Sequence, residues 1–159
     1  MDSLGFKHHD HSSCIAEGVA AVAKTCEESG LQLTPVRKRV LEILLERHRA
    51  IGAYEILESL REEGLGSQPP VAYRALDFLV KNGFAHKIER LNAFLACAHP
   101  GDSHVPAFLI CRSCDAVAEE KTATSGGRLG KAAQATGFTI ERTVLEAEGI
   151  CPNCQGKPE

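Results

Sequence analysis

Large aromatic residues are scarce in this chain of 159 residues. Tryptophan is absent, and aromatic residues make up 5% of the sequence although 43% of it is hydrophobic. A chain of this length forms one medium domain or two small ones, and a small domain with a thin core needs a metal to supplement it. The composition therefore makes a structural metal site plausible on energetic grounds.

Long apolar runs are also missing. Residues 15–23 form the longest near-apolar stretch early in the chain, and this stretch of nine residues includes Glu17, whereas a membrane-spanning helix needs about 20 residues. The first eight residues have no apolar core of the kind that a secretory signal peptide requires. We therefore expect a cytoplasmic protein with no membrane segment, an environment that disfavours ordinary disulfides.

The sequence has no excess of positive charge in either half. Residues 1–97 contain 12 Lys and Arg against 13 Asp and Glu, and residues 98–159 contain 6 against 8, so the net charge is −3. Binding to nucleic acid cannot be inferred from net charge here and must rest on the local placement of basic residues.

Cysteine is present in a pattern that predicts a metal site. Two Cys-x-x-Cys pairs, Cys111 with Cys114 and Cys151 with Cys154, supply the four thiolates of a tetrahedral zinc site. The 36 residues between the pairs exceed the usual gap of roughly 15 to 20, so the intervening segment must fold and return the chain. A redox dithiol, a pair of disulfides, or iron in the same cage are the alternatives.

The first half is predicted to contain four short helices. Gly30 is suited to end the first helix, and Thr34 followed by Pro35 is typical of a helix start. Glycines after the third and fourth helices end them in the same way. With their apolar residues at helical spacing, the four helices are predicted over residues 15–28, 35–47, 53–63 and 69–82.

A β-hairpin is predicted after the fourth helix, because apolar and polar residues alternate from Phe84 to Glu89 and a second apolar run, Phe94 to Cys97, follows a turn at Leu91 and Asn92. Short helices followed by a two-stranded wing are typical of a winged-helix module, whose last helix enters the major groove of DNA.

Several basic residues are candidates for DNA contact. Tyr73, Arg74 and Lys81 share the polar face of the fourth helix and can reach bases or phosphates. Candidate phosphate contacts at or near the second helix are Arg37, Lys38, Arg39, Arg47 and Arg49. For each charge taken singly, an ordinary solvated surface residue is the alternative.

The second half is predicted to be a small α/β dimerisation unit behind a Pro- and Gly-rich hinge. Strands are expected over 108–111, 117–121 and 138–147, with a helix over 127–134 closed by Gly137. Such a small unit can bury one face of its sheet against a second copy, and paired DNA half-sites also favour a two-fold dimer. The predicted organisation is a flexible tail at 1–14, a winged-helix domain at 15–97, a hinge at 98–106 and a dimerisation domain at 107–159.

A second metal site is predicted at the wing. If the turn lies at Leu91 and Asn92, His86 faces Cys97 across the hairpin, where Cβ atoms are about 4.5 to 5.5 Å apart. The hinge adds His99 or His104, and the strand after it adds Glu119 or Glu120. Nitrogen, sulfur and oxygen ligands together favour zinc over manganese and exclude ferrous iron less clearly. A buried Cys97 beside surface histidines is the alternative.

The ordered motifs resemble the ferric uptake regulator superfamily, with the zinc uptake regulators as its nearest branch. The resemblance extends over roughly residues 16–154 and rests on four blocks. These are Thr34-Pro35-x-Arg37, the run from Pro69 to Leu79 that contains Tyr73-Arg74, the run from Gly83 to Glu89, and the two Cys pairs.

This resemblance implies an α+β protein that represses transcription of zinc-uptake genes as a homodimer on palindromic operator DNA when zinc is plentiful. It implies no catalysis, no small organic ligand and two zinc ions per subunit. By resemblance, Tyr73 and Arg74 lie on the DNA-reading helix. The structural zinc would be held by Cys111, Cys114, Cys151 and Cys154, and the sensory zinc by His86, Cys97, His104 and Glu119.

Two departures from the family pattern affect function. Val71-Ala72 replaces the usual Thr-Val, which removes a hydroxyl that can bond a phosphate. The His-rich run that the iron branch carries before its first Cys pair is reduced to His99 and His104, which favours zinc. A run of His8, His9 and His11 is interpreted as solvated tail, and a third, weak metal site formed with Cys14 is the alternative. The alternatives are an iron- or peroxide-sensing relative, a zinc-buffering protein without DNA binding, and a thiol oxidoreductase.

Overall fold

The computed structural model describes Phe6 and residues 11–47, 49–101, 105–122 and 127–157. The chain divides into an N-terminal unit, Lys7–Gly101, and a C-terminal unit made of Met1–Phe6 and Asp102–Glu159. The division falls within the predicted hinge at 98–106. Among the helices that the structure describes, none combines the length and the apolar character needed to cross a bilayer.

Four helices form the N-terminal unit around a single apolar core. They are α1 (His11–Ser29), α2 (Pro35–Leu45), α3 (Ala53–Glu62) and α4 (Pro69–Lys81). The core consists of residues at helical spacing whose side chains are almost completely buried, and it includes Val22, Val40, Leu41, Leu44, Ile56, Leu60, Leu76 and Leu79.

The predicted helix starts at Thr34 and Pro69 are confirmed by the cap geometry. Thr34 adopts an extended conformation and its hydroxyl accepts the amide of Arg37, while proline occupies the first turn of both α2 and α4. The first helix begins four residues before the predicted start, so His11 and Cys14 of the predicted tail lie in α1. His8 and His9 lie outside the described residues.

The wing follows α4 as strands β1 (Ala85–Ile88) and β2 (Ala93–Ala96). A 3₁₀ turn at Glu89–Leu91 and a left-handed Asn92 connect them, with Asn92 at φ 45°. His86 pairs with Leu95 and Ile88 pairs with Ala93, so the predicted pairing of His86 with Cys97 is wrong. The connection consumes residues 89–92 rather than a two-residue turn, which moves the register by two residues.

A three-stranded sheet and one helix form the C-terminal unit. Its elements are β3 (Val105–Cys111), β4 (Val117–Thr122), α5 (Arg128–Thr136) and β5 (Leu145–Gly149), and the sheet order is β4-β3-β5. Strands β3 and β4 are antiparallel, whereas β3 and β5 are parallel. The crossover between β4 and β5 includes α5.

The last strand begins at Leu145, seven residues after the predicted start at Phe138. The amide of Phe138 donates to the carbonyl of Ala133 at 2.8 Å and so closes the C-terminus of α5 after the left-handed Gly137. Phe138 therefore belongs to the C-terminal cap of α5 rather than to a strand.

Candidate metal centres and nucleic-acid interface

The two Cys pairs emerge at one edge of the C-terminal sheet. Cys111 is the last residue of β3 and lies beside Gly149 at the end of the parallel strand β5, two residues before Cys151. Neighbouring parallel strands end at the same edge of a sheet, so the two tight turns that follow them meet there. The 36-residue separation of the pairs is thus absorbed by β4, α5 and β5.

The four sulfur atoms have the spacing of a tetrahedral site. All four lie within 4.8 Å of one another, and the Sγ atoms of Cys114 and Cys151 are 3.8 Å apart. A tetrahedron with metal–sulfur bonds of about 2.3 Å has sulfur atoms about 3.8 Å apart, whereas a disulfide requires about 2.05 Å. The donor set therefore fits Zn²⁺ and does not have disulfide geometry.

The electrostatics of the cluster also favour a bound cation. The amide of Cys151 donates to Sγ of Cys111 at 3.3 Å, and such donation lowers the pKa of Cys111 to about 6. For Cys114, donation from Ala116 lowers the pKa, but desolvation and the three neighbouring thiols outweigh it and raise the pKa to about 12. Adjacent thiolates repel one another, and a divalent ion removes that penalty for all four together.

A second group of possible ligands lies at the open end of the wing. The amide of Cys97 donates to the carbonyl of Phe84 at 2.9 Å, which extends the strand pairing by one residue beyond β2. His86 and Cys97 are therefore diagonal neighbours on one face, and their ligand atoms lie within 4.8 Å of each other. The face is preserved because the register differs from the predicted one by two residues, the period of a strand.

The surroundings of this pair suit a metal-binding thiolate. Cys97 is buried, Nε2 of His86 is shielded from solvent, and the amide of His99 donates to Sγ of Cys97 at 3.4 Å. Donation from an amide favours the charged form of a sulfur. Nitrogen and thiolate at this distance are typical zinc ligands.

The other residues that were predicted as sensory ligands belong to β4 and to the segment after Cys97. Glu119 is half-buried on β4, where it pairs with Phe108, and Glu120 is half-buried beside it. His104 lies outside the described residues. His99 is half-buried and contributes its backbone amide to Cys97.

Helix α4 presents a polar face to solvent. Tyr73 is 43% exposed, and Arg74 and Lys81 are also exposed. Nε of Arg74 donates to the carbonyl of Pro70 at 3.2 Å, which directs the side chain along the N-terminal turn of the helix. These three residues occupy the face of α4 on which the sequence placed them.

Three of the arginines that are candidates for phosphate contact make ion pairs within the N-terminal unit. Arg39 pairs with Glu42, Glu46 and Glu63, while Arg47 and Arg49 both pair with Glu55. Their charges are thus largely compensated. Lys38, next to them, is exposed on α2.

Arg37 has a different environment. Its Nη1 donates to the carbonyl of Gln32 at 2.7 Å, and its Cζ lies 3.8 Å from the centroid of the Phe78 ring. Sequence reasoning missed Phe78 as a partner of Arg37 and Glu63 as a partner of Arg39. Both partners are distant in sequence, so helical spacing within one segment carries no signal for them.

Comparison with known proteins gives a consistent match. The family model for the ferric uptake regulator family matches residues 28–148. The zinc uptake regulation protein of Escherichia coli (strain K12) is 39% identical over 140 residues, which cover 87% of this chain and 81% of that protein.

Two solved structures are similar over nearly the whole chain. One is described as a zinc uptake regulator complexed with zinc and DNA; it has a TM-score of 0.83 and 37% identity, covering 88% of this chain and 94% of that one. The other, the holo form of XcZur, has a TM-score of 0.80 and 41% identity, covering 89% of this chain and 99% of that one.

Proposed function

This chain belongs to the ferric uptake regulator family, and from that premise we propose that it is a zinc-responsive repressor. It binds palindromic operator DNA as a homodimer when its sensory zinc site is filled, and it represses zinc-uptake genes. The observation that carries this proposal is the presence, among the described residues, of a four-sulfur cluster and of a separate His86–Cys97 pair, in a chain 39% identical to a zinc uptake regulation protein.

The two metal sites have different roles in this proposal. Four cysteine ligands leave no position open for an effector, so the site of Cys111, Cys114, Cys151 and Cys154 is structural. The sensory ligands are His86 and Cys97 from the wing, His104 from the connection and Glu119 from β4, which gives two zinc ions per subunit. The donor set of nitrogen, sulfur and oxygen supports zinc.

A bound zinc ion would form strong bonds to residues that are far apart in the sequence. Cys97 must be a thiolate and His86 neutral to take part. The wing strands present both side chains on one face. Strand β1, which carries His86, begins four residues after the end of α4. Occupancy of the site thus bears on the part of the chain that carries the DNA-reading helix.

Exposed strand edge and exposed apolar side chains on the C-terminal unit support the homodimer. Strand β5 is a sheet edge with every residue exposed, and Leu129, Phe138 and Leu145 are large apolar residues open to solvent. A cavity of about 450 Å³ lined mainly by apolar groups of α5 and residues 138–144 adjoins them. Apolar surface of this kind on a small unit favours burial against a second copy.

The proposal places the protein in the cytoplasm, where its operator is found, and assigns it no catalytic activity. Tyr73, Arg74 and Lys81 contact the operator from α4, with Tyr73 and Arg74 nearest the N-terminal end that enters the major groove. Arg39 of α2 and Arg47 and Arg49 after it contribute less, because each of the three is paired with a glutamate.

A metal-restoration experiment tests the function. Protein stripped of labile metal by mild chelation is assayed against a duplex selected from a randomised pool, with Zn²⁺, Fe²⁺ and Mn²⁺ added singly, and native mass spectrometry counts the zinc ions. We expect zinc to restore binding and two of four ions per dimer to resist chelation. Restoration by iron would favour an iron-sensing relative, and no salt-dependent DNA binding at all would favour a zinc-buffering protein.

The Cys97→Ser variant tests the sensory site. It should keep its fold and the chelation-resistant zinc but lose zinc-dependent DNA binding, because serine is a poor zinc ligand. Cys26→Ala is the matched control, since Cys26 is a buried thiol in the core of the N-terminal unit. If Cys97→Ser binds the duplex with unchanged zinc dependence, the sensory assignment is wrong.

A further inference from the structure

Arg37 lies where a positive charge needs compensation. It is in the first turn of α2, and its amide donates to the hydroxyl of the N-cap residue Thr34 at 3.4 Å. The N-terminus of a helix carries partial positive charge and disfavours a cation. Arginine at this position therefore requires favourable contacts elsewhere.

Those contacts come from two other segments of the N-terminal unit. Nη1 of Arg37 donates to the carbonyl of Gln32, in the connection between α1 and α2, at 2.7 Å. Its Cζ lies 3.8 Å from the ring centroid of Phe78 on α4, well inside the range of a cation–π contact.

Phe78 also packs against Phe84, which directly precedes the first strand of the wing. Its ring centroid lies 6.2 Å from that of Phe84, at an interplanar angle of 52°, and Phe84 is 1% exposed. Phe78 follows Arg74 by four residues on α4, so it anchors the same helix one turn after the proposed DNA contact. Residues four apart share one side of a helix, so Arg37 contacts α4 on the side that carries Arg74, whereas Tyr73 lies on a different side.

We propose that Arg37 is a positioning residue for DNA recognition, which holds α4 in its reading orientation through the ring of Phe78 rather than by bonding a phosphate. This rests on the proposed DNA-binding function. It replaces the phosphate contact that the sequence alone suggested for Arg37. Its consequence is that removal of the charge acts on sequence discrimination, because a displaced reading helix loses base contacts.

Phosphate contacts and positioning contacts have different signatures. A phosphate contact contributes about equally to every duplex sequence, and its loss lowers the salt slope of the affinity by about one. A positioning contact contributes only where base edges are read, and its loss leaves the salt slope unchanged. The ratio of specific to non-specific affinity therefore separates the two roles, and it also separates positioning from a simple loss of folded protein.

The test compares Arg37→Met, Phe78→Leu, the double variant and Lys38→Met, which removes a neighbouring exposed charge from α2 and serves as the comparison for a phosphate contact. Zinc-loaded proteins are titrated with the duplex that wild-type protein selects from a randomised pool and with a scrambled duplex, at several salt concentrations. Circular dichroism melting verifies that each variant is folded.

We expect Arg37→Met and Phe78→Leu each to weaken binding to the selected duplex by roughly three- to tenfold, the range of one cation–π contact. Affinity for the scrambled duplex and the salt slope should remain at wild-type values. The double variant should bind the selected duplex about as well as whichever single variant binds it less tightly, because both substitutions remove the same contact.

Three results would overturn the inference. In Arg37→Met, a salt slope lower by about one with a parallel loss on both duplexes would mean a phosphate contact. If Phe78→Leu keeps the wild-type ratio of affinities for the selected and scrambled duplexes, the ring does not position α4. This measurement decides the question even if Arg37→Met fails to fold. Failure of wild-type protein to bind any duplex would overturn the proposed function and this inference with it.

Discussion

At the scale of single residues, three arginines of the N-terminal unit, Arg39, Arg47 and Arg49, form ion pairs with glutamates of the same unit. Arg39 makes a bidentate contact to Glu63, with Nε to Oε2 at 2.8 Å and Nη2 to Oε1 at 2.8 Å. This contact joins α2 to the end of α3, just before the turn that leads into α4. Planar two-point pairing is the geometry in which an exposed ion pair is most effective.

The Arg39–Glu63 pair predicts a pH dependence of stability. The bond from Arg39 lowers the pKa of Glu63 below its ordinary value, so the pair stabilises the fold above the ordinary carboxyl pKa. That contribution is lost as the pH falls through the lowered pKa. Glu63→Gln should therefore melt below wild type near neutral pH, and the two midpoints should converge on acidification.

Thermal unfolding of both proteins between about pH 7 and pH 3 measures this convergence around the carboxyl range. Glu62→Gln is the matched control, because Glu62 is an exposed carboxylate one residue away. A melting difference between wild type and Glu63→Gln that stays constant over the whole range would contradict the assignment.

At the scale of elements, the C-terminal sheet depends on its Cys turns. Strands β3 and β5 both lead into ligand turns, and only Ala133 of α5 is buried among the residues of that helix. In small zinc modules the bound metal contributes on the order of 10 kcal/mol of apparent folding free energy. We therefore expect the four-Cys site, when it holds zinc, to stabilise this unit, whose core is small.

Cys111→Ser should remove the chelation-resistant zinc and unfold the C-terminal unit, while the helical N-terminal unit stays folded. Zinc stoichiometry and NMR signals of the two units measure both effects, and Cys14→Ser, in α1, is the thiol control. Retention of tight zinc and of the C-terminal signals in Cys111→Ser would show that the four-Cys site does not support this unit.

At the scale of the whole molecule, function in this proposal depends on pairing two copies. A two-fold dimer presents two copies of α4 to the two half-sites of a palindrome. Linking two binding modules raises the overall affinity by about 10² to 10⁴ over that of one module. A monomer with intact metal sites is therefore expected to be a poor repressor.

Leu145→Glu and Phe138→Glu should convert the dimer to a monomer by placing charge in the apolar surface of β5 and α5. Sedimentation velocity measures the change, and DNA titration should show a parallel loss of affinity for the selected duplex. Tyr54→Glu is the control for oligomeric state, because Tyr54 is 73% exposed but lies in the N-terminal unit. A Leu145→Glu protein that remains dimeric would place the interface elsewhere.

Local sequence was sufficient for most of the helices and for the structural metal site. The start of α2 follows from Thr34 and Pro35, and the end of α1 follows from Gly30, because caps act over a single turn of chain. The four-Cys site follows from ligand type and spacing, since a Cys-x-x-Cys turn brings its own two sulfurs together. The sensory ligands needed the family resemblance as well, and His104 lies outside the part that the structure describes.

Only the tertiary structure decided the wing register, the start of β5 and the partners of the arginines. The register depends on a four-residue connection with a left-handed Asn92, and Phe138 closes α5 through its amide instead of opening β5. Arg37 meets Phe78 only when α2 and α4 pack together. Caps and ligand turns are short-range and can be inferred from neighbouring residues, whereas these contacts join distant segments and exist only after the chain has closed around its core.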